Sequence, residues 1–229
     1  MSSLLDRLSQ VQERIARAAV RAGRPEQDIT LIGVSKRKSI AEMQSAYAAG
    51  LRHFGENRAQ EVRDKFPAFD PPGIIRHFIG HLQSNKVKYL PGRVDLIHSI
   101  DSIKIADAVN QRFGNQELPI PVLVEVNISG EGNKQGVEPE QALDLAAYCA
   151  ELPFLEFRGL MTIGPLTDEA SRIRQAFQEM YKCQQDILAQ ISVAEPMLSM
   201  GMSGDFEIAI EEGASHIRVG TAIFGPRLV

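Results

Sequence analysis

Leu4, Leu8, Val11, Ile15, Ala18 and Ala22 recur at three- and four-residue spacing, which predicts an amphipathic helix at the start of the chain. Ser3, with Asp6 three residues on, reads as a capping box, and Gly23 followed by Pro25 ends the helix. Beyond it the pattern changes. Short apolar, β-branched runs alternate with segments of helical period, and strands are predicted at about 29–35, 52–56, 76–80, 94–99, 121–127, 157–162, 197–202 and 216–220. The helices between them are predicted to begin near Ser39, Arg58, Gln83, Ser102, Pro139, Thr167 and Asp205. The first is the clearest: Ser39 and Glu42 form a second capping box, Ile40, Met43 and Tyr47 share one face, and Gly50 is the stop. An eighth helix has room for only a few residues, because nothing but Thr221 to Val229 follows the last strand.

Eight strand-to-helix repeats in 229 residues predict an α/β fold, a single-domain (β/α)₈ TIM barrel over residues 1–229 preceded by an extra N-terminal helix. An open doubly wound sheet is the alternative, and it would leave two edge strands to protect. No Pro/Gly/Ser-rich linker or low-complexity tract divides the chain.

Composition narrows the function classes. Hydrophobic residues make up 44% and charged residues 24%, as in globular proteins with a buried core. Net charge is -4, and no arginine-rich run or basic face points to nucleic acid. No apolar run is long enough to span a bilayer and no signal-type segment stands at the start, so a cytoplasmic protein is expected. Cys149 and Cys183 stand alone on predicted helices as reduced thiols, and no metal-ligand spacing is present.

In such a barrel the chemistry comes from the carboxyl ends of the strands. Those ends read Ser35-Lys36, Gly55-Glu56-Asn57, Gly80-His81, His98-Ser99, Glu125-Val126-Asn127, Met161-Thr162, Met202-Ser203-Gly204-Asp205 and Arg218-Val219-Gly220-Thr221. Lys36 closes the first strand. It reads either as a solvated strand-end charge or as an amine able to condense with an aldehyde when burial or a nearby cation lowers its pKa. Ser203 reads as an ordinary N-cap or as an anion donor. With Gly220-Thr221 it lies in the loops after strands seven and eight, where barrels of this kind commonly hold phosphate. Arg218 shares a strand face with Gly220 and needs an acceptor, for which an unprotonated ring nitrogen and the Glu125 carboxylate compete. The glycine-rich stretch 130–136 lacks Walker spacing and reads as a mobile loop, and Lys38, Lys86, Lys88 and Lys134 read as solvated.

With these residues in view, the chain resembles the pyridoxal phosphate homeostasis proteins, relatives of the barrel half of alanine racemase. The carrying segments are Gly33-Val34-Ser35-Lys36, His53-Phe54-Gly55-Glu56-Asn57, His77-Phe78-Ile79-Gly80-His81-Leu82-Gln83-Ser84-Asn85-Lys86, Arg158-Gly159-Leu160-Met161-Thr162-Ile163, Leu198-Ser199-Met200-Gly201-Met202-Ser203 and Ile217-Arg218-Val219-Gly220-Thr221-Ala222-Ile223-Phe224-Gly225. The resemblance implies a fold-type III barrel carrying pyridoxal 5′-phosphate as a Schiff base on Lys36. Arg218 would face the pyridine nitrogen, Ser203, Gly220 and Thr221 would hold the phosphate beside Met202, and Asn57 would line the cofactor. It also implies a role in cofactor and amino- and keto-acid balance, with apo-enzymes as recipients and a monomer as the working form. No catalytic residue is expected. A racemase, the alternative activity, needs a second acid/base, and Tyr47, Tyr89, Tyr148 and Tyr181 all fall on predicted helices away from the rim.

Overall fold

The computed structural model describes residues 3–130 and 135–226. Helix α1 (Leu4–Arg21) carries the Ser3–Asp6 capping box in both directions, and Gly23 takes the left-handed conformation, φ +63°, that ends it. The strands are β1 (Thr30–Val34), β2 (His53–Glu56), β3 (Ile75–Phe78), β4 (Leu96–Ile100), β5 (Ile120–Glu125), β6 (Leu155–Met161), β7 (Met197–Ser199) and β8 (His216–Val219). All pair in parallel in chain order, and β8 closes onto β1 with Ile32 opposite Arg218. The closed barrel removes the edges that the open-sheet alternative would have left.

Around it lie α2 (Ile40–Ala48), α3 (Ala59–Lys65), α4 (Ile103–Gly114), α5 (Ala142–Glu151), α6 (Ala170–Leu188), α7 (Phe206–Glu211) and α8 (Thr221–Phe224). The Ser39–Glu42 box opens α2 as the sequence predicts. After β3 the predicted helix is a 3₁₀ segment, Ser84–Tyr89. Val87 is its buried residue, Leu90 is buried three residues on at its C-cap, and Pro91 disfavours α geometry just beyond. Strand β7 stops at Ser199, short of the predicted 202, because Gly201 turns the chain with φ +93°. Helix α6 begins at Ala170, three residues after Thr167, whose hydroxyl instead accepts from the Glu169 amide. Lys134 and much of the stretch read as a mobile loop, together with the tail from residue 227, lie outside the described residues.

Alternation sorts the strand side chains. A Cβ on Gly33 would fall 2.3 Å from Leu51, so that face of β1 looks outward to the helices. Ile32 and Val34 therefore look inward, and Lys36 follows at the same parity at the mouth. The outer layer is aliphatic and aromatic, with Phe54, Phe78, Phe177 and Phe206 fully buried. The inner layer is sparsely apolar, with Leu96, Leu123 and Met161 packed against Met197. Ile32 adds to it, and the polar His53, His77, His98, Ser199 and Arg218 share the interior, which is unusual for a closed barrel and prepares the site above it.

Helix α1 braces the elements that follow β7 and β8. Arg7 donates to the Ile223 carbonyl at 2.8 Å, Arg14 pairs with Glu207 at 2.7 Å, and Arg24 donates to the Ile210 and Ala214 carbonyls at 3.1 and 2.8 Å. A bulge lies opposite. The β5–β6 register steps from Val122–Phe157 to Leu123–Gly159, and Gly159 adopts φ +138° with its Cα against Met197, whose carbonyl oxygen a Cβ would meet at 2.0 Å. Gly159→Ala is expected to lower stability by more than about 2 kcal/mol, read as a drop in the thermal melting point, because neither the φ nor the strand contact can relax cheaply.

Candidate functional site

The mouth is organised around the turn after β1. Lys36 lies half-buried in a tight turn in which the Lys38 amide donates to Ser35 at 2.9 Å and Arg37 takes φ +60°, uncommon for a residue with a side chain. That turn is tied down from three sides. The Arg37 amide donates to Glu61 at 2.7 Å, Lys65 donates to the Ser35 carbonyl at 2.9 Å, and the Lys38 ammonium donates to the Phe224 carbonyl at 3.1 Å. Lys38 is thus not the solvated lysine its loop position predicts. It also pairs with Glu42 at 3.2 Å and links the β1 turn to the end of α8.

Below the turn, Ser35 donates from its hydroxyl to Glu56 at 2.8 Å, and Lys65 bridges Glu56 at 3.0 Å and Glu61 at 2.5 Å. Burial, the largest influence, raises the fully enclosed Glu56 carboxyl to about 7 against the pull of Lys65 and Ser35. Burial works the same way on Glu61, but hydrogen bonds from Lys65 and the Arg37 amide hold it below the usual carboxylate range.

Arg218 is buried, and desolvation lowers its pKa to about 10. Its Nη1 donates to Ser199 at 2.7 Å and its Nη2 to the Thr162 carbonyl at 2.8 Å. Glu125, proposed from the sequence as a competing acceptor, does not take that bond; it acts on Arg218 only through its charge. Burial first, and then the nearby Asp101, push the Glu125 carboxyl up to about 7.

At the other side of the mouth the Ser203 hydroxyl accepts from the Gly220 amide at 3.2 Å and the Ala222 amide at 3.4 Å. The fold therefore brings together Ser203 and the Gly220–Thr221 turn, although they lie beyond β7 and β8 rather than in them. Gly220 presses on β1, where a Cβ would stand 3.4 Å from Val34. Thr221 is exposed at the first position of α8, where an amide has no acceptor within its own helix. Asn57 follows β2, half-buried, against the backbone of Gly80, where an added Cβ would fall 2.2 Å from the Asn57 carbonyl oxygen. Met202 sits in the same loop as Ser203 and lines a cleft with Leu166, Ile173 and Ile208.

Some residues here carry no strong sequence signal. Lys65 lies in the last turn of α3 and reads as a helix-surface charge, and Ser199 reads as one polar residue in a short apolar run. His98, read as a rim residue, points into the barrel instead. With His53 and His77 it forms a row of imidazoles that only the strand register reveals.

Pyridoxal phosphate, the group the sequence resemblance implies, can be tested against these residues. Asn57 Oδ1 and Glu125 Oε2 are buried side-chain atoms without a hydrogen-bond partner among the described residues, and both stand at the mouth. Open polar atoms there, a half-buried lysine, a partnered arginine and small residues over paired backbone amides fit an aldehyde joined to a nitrogen heterocycle and an anion.

Comparison with known proteins agrees with this chemistry. Residues 7–227 match the family model for the alanine racemase N-terminal domain. The pyridoxal phosphate homeostasis protein of Aquifex aeolicus (strain VF5) is 45% identical over 222 residues, 97% of each chain. Among solved structures, an unknown protein from Bifidobacterium adolescentis is 38% identical with TM-score 0.90, covering 96% of this chain and 94% of its own. PipY of Synechococcus elongatus PCC7942, solved with PLP bound, is 34% identical with TM-score 0.81, covering 94% of this chain and 100% of its own. By barrel, mouth and full-length similarity, the chain belongs to the alanine racemase N-terminal domain family and, within it, to the pyridoxal phosphate homeostasis proteins.

Proposed function

We propose that this chain binds pyridoxal 5′-phosphate reversibly at the barrel mouth, keeps the free aldehyde scarce and releases it to apo-enzymes, with little or no catalysis of its own. The observation that carries the reading is the convergence of the Lys36 turn, the bonded Arg218 and the Ser203–Gly220 contact at one end of a closed barrel. When bound, the cofactor supplies an aldehyde for a primary amine and a ring that withdraws electrons from what is attached to it. Lys36 would provide that amine. Ser203, Gly220 and Thr221 would donate hydrogen bonds to the phosphate, Asn57 would line the ring, and Met202 would flank the loop. Arg218 remains a cation with donors left over, so it would donate to the ring nitrogen and oppose its protonation.

That choice favours holding over chemistry, since an unprotonated ring is the weaker electron sink. Tyr47, Tyr148 and Tyr181 are not placed to supply a second acid/base. The Tyr47 hydroxyl donates to the Pro72 carbonyl and that of Tyr148 to Asp107, while Tyr181 lies on the outer surface against Gly213. A slow racemising activity, the second reading, would use Glu125, a buried carboxyl of near-neutral pKa at the mouth with one oxygen unpartnered among the described residues. A chiral assay on purified protein tests it, and equal D and L turnover that persists in Glu125→Gln removes Glu125 from the reading.

No described helix is long and apolar enough to cross a membrane. A cytoplasmic, monomeric protein is part of the proposal. The direct test is borohydride reduction of protein mixed with pyridoxal phosphate, followed by peptide mapping. A mass increase on the Lys36 peptide supports the reading, and an increase on another lysine or none overturns it. Arg218→Glu is expected to raise amino-acid half-reaction rates on the order of tenfold, followed as spectral change after amino acid is added. Unchanged spectra would remove Arg218 as the ring's partner.

A further inference from the structure

Three imidazoles cross the inside of this barrel in a row. His53 Nδ1 lies 3.0 Å from His77 Nε2, His77 Nδ1 lies 2.9 Å from His98 Nε2, and His98 Nδ1 lies 3.0 Å from the Ser199 hydroxyl that receives Arg218 Nη1. The register explains the row. His53 is opposite Ile75 and His77 opposite Leu96, so each imidazole stands one inward-facing position further along than the last. The row runs from half-buried His53, at the amino-terminal end of β2, to the buried guanidinium at the mouth.

We propose that Ser199, His98, His77 and His53 are positioning residues: a hydrogen-bond chain of fixed direction that anchors Arg218 and couples whatever ligand Arg218 meets to the protonation of His53. The ligand end rests on the pyridoxal phosphate reading; the direction of the chain does not.

Direction follows from counting protons. Burial pulls His53, His77 and His98 down, so all three are neutral near pH 7, each with one donor and one acceptor nitrogen. Arg218 only donates, so the Ser199 oxygen accepts from it. Two complete chains remain. In one, Ser199 donates to His98 Nδ1 and every imidazole carries its proton on Nε2, so each hydrogen has a partner as far as His53. In the other, every proton sits on Nδ1 and Ser199 accepts twice, leaving its own hydroxyl hydrogen with no acceptor among the described residues. A buried unpaired donor disfavours the second arrangement on the order of tenfold.

Coupling follows from the same count. One proton taken from solvent onto His53 Nδ1 would face the Nε2–H of His77. The clash is relieved only if His77 and His98 both change tautomer, with no net proton gain at either. His98 then donates to Ser199, and the hydroxyl that receives Arg218 takes a second donor and loses the acceptor of its own hydrogen. The other groups facing the row are His216, with ring centroids 6.5 Å from His77 and 6.4 Å from His98, and the charges of Arg218 and, beyond it, Glu125. No carboxylate is hydrogen-bonded to the three imidazoles among the described residues.

The test is ¹⁵N NMR of histidine-labelled full-length protein, without and with pyridoxal phosphate. Without it, His53, His77 and His98 are expected as Nε2–H tautomers, and acid titration of His53 is expected to move the His98 signals at the same midpoint. Ser199→Ala, which removes the hydroxyl but no imidazole, is expected to give mixed tautomers, and His77→Phe to uncouple His98 from His53. Adding the cofactor is expected to shift the His53 midpoint in the parent and not in His77→Phe, since coupling is reciprocal. An Nδ1–H tautomer at any of the three, or a His98 signal that ignores His53, overturns the proposal. If the chain behaves as described but borohydride fixes nothing on Lys36, the cofactor reading fails instead.

Discussion

Replacing Lys36 with alanine is expected to abolish covalent attachment of pyridoxal phosphate while leaving the melting temperature within about two degrees of the parent. The side chain is half-buried at the mouth, outside the packed layers, so little burial is lost. The turn itself survives, because its bonds run from the Arg37 and Lys38 amides and from Lys65, none of which uses the Lys36 side chain. Two other lysines near the turn cannot substitute easily. Lys38 is committed to Phe224 and Glu42, and Lys65 to Ser35, Glu56 and Glu61, so releasing either would strip a buried acceptor of its cation or donor. The phosphate contacts proposed for Ser203 and Gly220 do not involve Lys36, so weak non-covalent binding is expected to remain. Equilibrium dialysis measures that remainder, and borohydride reduction with intact-mass analysis measures the covalent part. A mass increase that persists in Lys36→Ala would show another lysine to be the anchor.

How far the sequence reveals this molecule depends on whether an interaction is local. Both capping boxes and the alternation of strands with helices are set by neighbours three or four residues apart, and they are legible without coordinates. Lys36, Ser203 and Arg218 are legible because strand ends in a barrel converge on one rim. Interactions that depend on register are not. The bond from Arg218 to Ser199 joins positions 19 residues apart on adjacent strands, and the bond from His98 to Ser199 spans 101 residues across the barrel. Alternation shows that these side chains face inward but not which of them meet. The 3₁₀ segment after β3 and the early end of β7 depart from the sequence reading for a different, local reason. A proline and a left-handed glycine override an apolar pattern that reads as a longer element.

Lys65 is where removal of one side chain is expected to cost the most, and the cost depends on pH. It is the cation paired with Glu56, whose carboxyl is fully enclosed and already raised to about 7 by burial. Lys65→Met leaves that carboxyl without a charge partner, which typically costs about 3–5 kcal/mol when the carboxylate stays ionised. Protonation offers an escape, so the Glu56 pKa is expected to rise further. The sign follows from linkage. In the parent the folded pKa of Glu56 lies above its unfolded value, so the folded state binds more protons in between. Its contribution to stability is whole below the ordinary carboxyl range and is lost as pH rises through about 7. In Lys65→Met the decline keeps its limiting slope of one proton and extends to higher pH; in Glu56→Gln it flattens, because nothing remains there to ionise. Glu125, also near 7, adds a parallel slope that neither change removes. Urea denaturation from pH 5 to 9 on the three proteins separates these cases, and equal slopes in all three would exclude Glu56 as their source. Because Lys65 also holds the Ser35 carbonyl and Glu61 holds the Arg37 amide, the same substitution loosens the turn that carries Lys36. Weaker covalent attachment of pyridoxal phosphate is therefore expected in Lys65→Met even where the barrel remains folded, and reduction at a pH of full folding would detect it.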